Sequence, residues 1–425
     1  MYSTFMERTD HVFPAGSGSP AAAPAALRGR GAVTNVRHRF QQTDRAPADD
    51  GWAATHVPAD ALADPSWSAD GVAEPSAPYI PITPEPVRQT TVAPEQARKL
   101  LSRNDSPDIP FDVAVNPYRG CEHGCVYCYA RPTHAYLGYS PGLDFETRLV
   151  AKANAVDVLR AELARPGYRV SPINIGSATD VYQPIERQWQ LTRGVLELLL
   201  QTRHPATIVT KNALVERDLD LLQPLAEQRL ITVFVSITTL DADMARTLEP
   251  RASAPWRRIQ AVRTLANAGV PVGVLVAPVI PFINDESLEH ILQEARQAGA
   301  CYASYTVLRL PWEVRAVFEE WLQAHFPDRA QRVLHRIEDL RNGRRNDPRF
   351  GSRMRGTGLW ADLLRQRFGL AVRKLGLNTT RPQLATHLFQ APRPAMAAAP
   401  APAAGQGGHR HTRPAPQASP QLSLF

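Results

Sequence analysis

Between about residue 98 and residue 310, short apolar β-branched runs alternate with longer amphipathic stretches. The strand candidates are Phe111–Val115, Ile173–Gly176, Ala206–Thr210, Ile231–Ile237, Val272–Ala277 and Tyr305–Leu310. Helical patterns at Arg148–Leu163, Leu191–Gln201, Val215–Gln228, Trp256–Ala268 and Glu286–Gln297 fall between them. This alternation predicts an α/β fold of parallel strands joined by right-handed crossovers. Six such units fit either an open (β/α)6 barrel or a doubly wound sheet. Both place ligand chemistry at the carboxyl ends of the strands. Over 311–390 the rhythm changes: Trp312–Phe326, Arg329–Arg341 and Leu359–Leu375 read as amphipathic helices, with Gly343, Gly351, Gly356 and Gly358 between them. A helical extension beside the barrel is expected there.

The flanks lack this periodicity. Residues 1–75 are rich in Ala, Pro, Gly, Ser and Asp, which predicts a largely disordered arm. Its one basic island, Arg28 to Phe40, is expected to be solvated, or else to order on the core or on nucleic acid. Residues 76–97 lead into the barrel. Residues 391–420 hold ten Ala and seven Pro, a linker composition. No apolar run approaches the length of about 18 residues that a membrane span requires. The N-terminus has no apolar signal-peptide core. Four cysteines in 425 residues make no disulfide framework and point to the reducing cytoplasm. Net charge is +7, but Arg341 to Arg381 alone carries ten Arg and one Lys against Asp347 and Asp362. That segment suits phosphate contacts or a solvated helical face equally well.

Three of the four cysteines, Cys121, Cys125 and Cys128, lie within eight residues at CxxxCxxC spacing. Three thiolates on one loop can hold three corners of a [4Fe–4S] cube and leave the fourth iron without a protein ligand. A zinc site completed by His123 or Cys301 is the alternative. Cys301 itself, just before the sixth strand, reads as a buried, inert thiol at the opposite end of the barrel.

The aromatic Tyr127 before the third cysteine completes CxxxCx-aromatic-C, and with Asn116-Pro-Tyr-Arg-Gly ahead of it this stretch resembles the radical S-adenosylmethionine (SAM) superfamily, in the branch related to spore photoproduct lyase. The resemblance runs from about Arg98 to about Gln390. It implies a partial (β/α)6 TIM-type barrel, a [4Fe–4S] cluster held by Cys121, Cys125 and Cys128, and SAM chelated at the open iron. It further implies reductive cleavage of SAM to a 5′-deoxyadenosyl radical, with an electron donor such as flavodoxin or ferredoxin. As aligned, the relative's hydrogen-donating cysteine falls where this chain has Ile175 and Gly176, so its thymine-dimer chemistry does not simply carry over.

SAM contacts are expected where polar residues end the strands: Ser177 and Asp180 after the second, Lys211 after the third, Ser236 after the fourth, and Arg251 beyond it. Each also has a reading as a helix cap or a solvent-facing group. The terminal Gln421, Leu422, Leu424 and Phe425 lie in a QLSLF pentapeptide similar to the motif that docks bacterial repair and replication proteins on the sliding clamp. Together these features point to a radical SAM enzyme acting on nucleic acid in DNA repair or base modification. A tRNA- or protein-modifying enzyme and a zinc- or cluster-stabilised, DNA-associated scaffold are the alternatives.

Overall fold

The computed structural model describes residues 27, 29–41 and 89–392. The linker over 391–420, apart from its first two residues, and the Gln421–Phe425 pentapeptide lie outside the described residues, as do residues 1–26, 28 and 42–88.

Ten strands are described: β1 Thr91–Glu95, β2 Leu101–Arg103, β3 Val113–Val115, β4 Tyr118–Arg119, β5 Arg148–Lys152, β6 Ile173–Ile175, β7 Ala206–Thr210, β8 Ile231–Ser236, β9 Val272–Val279 and β10 Tyr302–Val307. The main sheet has the order β10-β9-β8-β7-β6-β3-β2. All its neighbours are parallel except the edge pair β2–β3. β10 and β2 form its two edges, so the barrel is open. This is the partial (β/α)6 arrangement, with strand runs such as Val233, Val235, Val272 and Val274 buried because helices cover the outer face.

The crossover helices are Ala155–Leu163, Leu191–Thr202, Leu219–Glu227, Pro255–Asn267 and Leu288–Gln297. Each turns an apolar stripe inward, as Val195, Leu196, Leu198 and Leu199 do in the second. Helices Val314–His325, Pro327–Leu340 and Leu359–Leu375 follow β10. Trp321 and Phe318 of the first of these are fully buried in a second apolar cluster that also takes in Cys125, Val126 and Tyr127.

Three expectations shift. The stretch expected to be helical over Arg148–Leu163 begins as β5, which pairs parallel with β1 and antiparallel with β4 in a small second sheet. β10 starts at Tyr302 rather than Tyr305, because its first turn of pairing to β9 is made by the backbone of a polar, alternating segment. Cys301 does lie at the amino end of β10, where its amide donates to Val272 O. It is exposed, not buried, since the side chains packed inward here are its neighbours Ala300 and Ala303.

Candidate functional site

The cysteine loop leaves β4 and crosses the carboxyl-end face of the main sheet. Its Cys121 amide donates to Phe145 O (2.9 Å), and Val126 N to Leu248 O (3.1 Å). Arg131, fully buried, ties the loop from beneath: Nε donates to Cys125 O (2.8 Å), Nη2 to Gly124 O (3.0 Å), and Nη1 to Pro141 O and Gly142 O (3.0 and 2.9 Å). The same guanidinium pairs with the buried Glu146.

Glu146 in turn accepts from the amides of Gly31 (3.0 Å) and Ala32 (2.8 Å). The basic island is therefore ordered against the cysteine loop. Gly31 packs so closely on Gly124 that a Cβ there would stand 1.8 Å from Gly124 O. Gly124 needs its own lack of a side chain, with φ at +68° and Glu146 Oε2 only 2.7 Å from where a Cβ would lie.

All three loop cysteines are free thiols, and Cys121 and Cys125 are buried. Burial is the largest influence on each and pushes their ionisation upward; for Cys121 the neighbouring charges of Asp180 and the other two thiols add to it. Backbone amides of Ala130 and Arg131 favour the thiolate of Cys128, and the amide of Asp180 that of Cys121. Thiolates on this loop, two of them buried, need a cation, which iron would supply. Among the described residues no three His, Cys, Asp or Glu side chains gather closely enough to hold a single metal ion. A cube presents each thiolate to a different iron, so its three ligands need not converge as the ligands of one ion do. The donor set fits a site-open cluster.

Around this loop stand the strand ends. Asp180 accepts from Tyr182 N (2.9 Å), Thr210 Oγ1 (2.8 Å) and Lys211 N (2.6 Å), and its Oδ2 lies 3.3 Å from His123 Nδ1. Burial raises its pKa, but His123 and these amides outweigh it and hold the carboxyl below its usual range. Lys211 and Ser236 meet directly, Nζ donating to Oγ at 2.5 Å. Lys211 also lies 3.5 Å from Glu249 Oε1 and 5.7 Å from the centre of the Tyr127 ring. Ser177 Oγ accepts from Asn116 Nδ2 (3.0 Å), whose Oδ1 takes the Ala178 amide (2.8 Å). Arg251 is engaged elsewhere, pairing with Glu122 of the cysteine loop at 2.7 Å.

The structure thus brings Asp180, Lys211 and Ser236 together, holds Ser177 on the adjoining turn, and sets Arg251 on the loop's flank. Sequence reasoning missed Arg131, Glu146, Glu249 and Arg258. Glu249 is wholly buried. It accepts from Thr238 Oγ1 (2.9 Å) and the Tyr127 hydroxyl and pairs with the equally buried Arg258, which also donates to Ser236 O (3.0 Å). Burial alone would raise its pKa, yet Arg258 and Lys211 hold it at about 2.

A loop with three free thiols, two of them buried, at the carboxyl ends of an open parallel barrel defines a cluster-dependent α/β enzyme. The radical SAM superfamily profile matches residues 115–295. An uncharacterized protein of Mycobacterium tuberculosis is 38% identical over 226 residues, 53% of this chain and 66% of that protein. One of Acidianus two-tailed virus is 30% identical over 222 residues, 50% of this chain and 72% of that protein. One of Methanocaldococcus jannaschii is 27% identical over 234 residues, 55% of this chain and 83% of that protein. The chain thus spans just under two thirds of the mycobacterial relative's length. Among solved structures, spore photoproduct lyase complexed with dinucleoside spore photoproduct aligns with a TM-score of 0.49 and 17% identity, covering 67% of this chain and 80% of that one. The chain belongs to the radical SAM superfamily, whose enzymes use a [4Fe–4S] cluster and SAM.

Proposed function

We propose that the protein is a cytoplasmic radical SAM enzyme that modifies or repairs nucleic acid. The observation that carries the chemistry is the set of three free thiols, two buried and one half-buried, on a loop locked by Arg131 and Glu146. Cys121, Cys125 and Cys128 would hold the cluster. Lys211, Ser236 and Asp180 line the adjoining strand ends, with Ser177 and Arg251 at their margin. When bound, the cluster and SAM supply a 5′-deoxyadenosyl radical. The chain's own part is to position SAM and exclude water. Lys211 offers a fixed positive charge for a carboxylate, Asp180 an acceptor for an ammonium, and buried Tyr127 and Glu249 keep solvent from beneath the loop.

A nucleic-acid substrate is supported by the excess of Arg over acids in residues 341–381, where, among the described residues, Arg344, Arg355, Arg373 and Arg381 stand outside the ion pairs that take up Arg345, Arg349, Arg353, Arg365 and Arg367. The QLSLF end, read as a sliding-clamp ligand, would bring the enzyme to DNA. The test is anaerobic reconstitution and reduction with SAM and deuterated oligonucleotides. Brown protein, 5′-deoxyadenosine and deuterium within it are expected. A colourless protein with one bound zinc would sink the reading. Pull-down by purified clamp, lost on deleting Gln421–Phe425, tests the tail.

A further inference from the structure

Arg309 lies two residues beyond β10, on the face that bears the cysteine loop. Its surroundings differ from those of the fully buried arginines. Arg341 donates to four carbonyls, including Leu308 O and Arg353 O (2.6 and 2.7 Å), and Arg258 pairs with Glu249. For Arg309 the hydrogen-bond partner is the thioether of Met354, 3.4 Å from Nη1, a weak acceptor. Its Nε is buried with no partner. Among the described residues no carboxylate lies within ion-pair distance of it.

Burial weighs most against this charge and Arg353 adds to it, while Tyr129 and Asp108 offset part of the cost. Arg353 is close enough to act on Arg309 electrostatically, and it takes up Asp108, the neighbouring acid. A half-buried guanidinium lacking an anion is costly unless a ligand brings one. Two exposed rings accompany this pair of arginines, one near each. Tyr129, the residue after the last cluster cysteine, is 54% exposed, its hydroxyl donates to Ser177 O, and Arg309 is near enough to act on it electrostatically. Phe350, 59% exposed, carries the Arg353 guanidinium 4.5 Å above its centre. Arginine interleaved with open aromatic faces is the surface that single-stranded nucleic acid uses, phosphate to cation and base to ring.

We propose that Arg309 receives a backbone phosphate of the substrate strand, with Tyr129 offering its ring to an adjoining base beside the cysteine loop. This rests on the nucleic-acid reading above and locates where the strand enters.

The test is anisotropy of a fluorescein-labelled single-stranded DNA oligonucleotide titrated with reconstituted holoenzyme at several salt concentrations, for wild type, Arg309→Gln and Arg309→Lys. SAM affinity and thermal unfolding are measured in parallel. Arg309→Gln should weaken DNA binding roughly tenfold and flatten the log K against log salt slope by about 0.7. Arg309→Lys should keep the slope while losing part of the affinity. SAM affinity and unfolding temperature should stay at wild-type values. Wild type that binds DNA, with Arg309→Gln matching it in affinity and slope, overturns the phosphate site and leaves the nucleic-acid reading standing. Loss of SAM affinity in Arg309→Gln overturns it in favour of the methionyl carboxylate as the missing anion. Wild type that does not bind the oligonucleotide overturns the nucleic-acid reading, and the phosphate site falls with it.

Discussion

Glu249 and Arg309 stand on the same strand-end face in opposite circumstances. Glu249 is enclosed by Arg258, Lys211, Thr238 and Tyr127, so its charge is satisfied before any ligand arrives. Arg309 meets a thioether and the repulsion of Arg353. The difference separates two jobs. Groups that hold a cofactor in one orientation gain from a rigid, internally paired setting. A surface that takes and releases a polymer gains from charges left for the ligand to complete. The cysteine-loop side is therefore the fixed half of the mouth, and the arginine side is the receiving half.

The comparison breaks most completely at the cysteines. Cys125→Ala should abolish the brown chromophore and reduce 5′-deoxyadenosine formation to background, measured by iron analysis and chromatography. Retention of full iron content would place the cluster elsewhere.

The enclosed half is also open to attack through stability. Glu249→Leu leaves Arg258 buried without its partner, and loss of about 3–5 kcal/mol is expected in denaturant unfolding. Replacing both, Glu249→Leu with Arg258→Met, should recover much of that loss, because no buried charge is then stranded. Equal losses in the single and double variants would show that Glu249 and Arg258 do not form an enclosed unit.

Much of this fixed half could be read in advance, and the reasons are local. Strands β7, β8 and β9 are rich in β-branched residues, and Lys211 follows the first of them while Ser236 ends the second. Helix Leu359–Leu375 has the bounds its apolar spacing predicts. The partners that matter most were hidden because they are charged and distant in sequence. Arg131, Glu146, Glu249 and Arg258 look like surface residues one at a time, and only the fold pairs them. The basic island was obscured by the composition around it. The available signal was the small, apolar Gly31-Ala32-Val33 beside two arginines, a segment able to lie flat on another backbone.

That island gives the next test. Gly31→Val would drive a side chain into Gly124 O, so the strap must lift or the cysteine loop must shift. A cost of about 1–3 kcal/mol is expected, with faster bleaching of the cluster in air and new protease cleavage near residues 29–41. Unchanged bleaching and cleavage would mean that the strap does not brace the loop.

The smallest effect uses acid to distinguish His204, at the opposite end of the strands, from Glu249. His204, just before β7 at its amino end, is fully buried between Tyr168 and Phe389, its Nδ1 2.9 Å from Pro205 O. Burial lowers its pKa to about 4, against 6.5 for the free side chain. The unfolded chain therefore binds a proton that the folded chain refuses between those values. Stability from His204 is complete above about pH 6.5 and is lost as pH falls toward 4. For Glu249 the folded carboxyl is also lowered, so its contribution is complete above about 4.5 and disappears only toward pH 2. Acid should thus withdraw the His204 contribution before that of Glu249. At pH 5.5 the His204 contribution should already have fallen by about 1.4 kcal/mol. His134, lowered to about 4 by burial, titrates in the same window. Unfolding free energies followed from pH 7.5 to 4.5 should therefore decline less steeply in His204→Asn than in wild type, without reaching a flat line. Identical slopes in the two proteins would show that His204 is not held neutral by the fold.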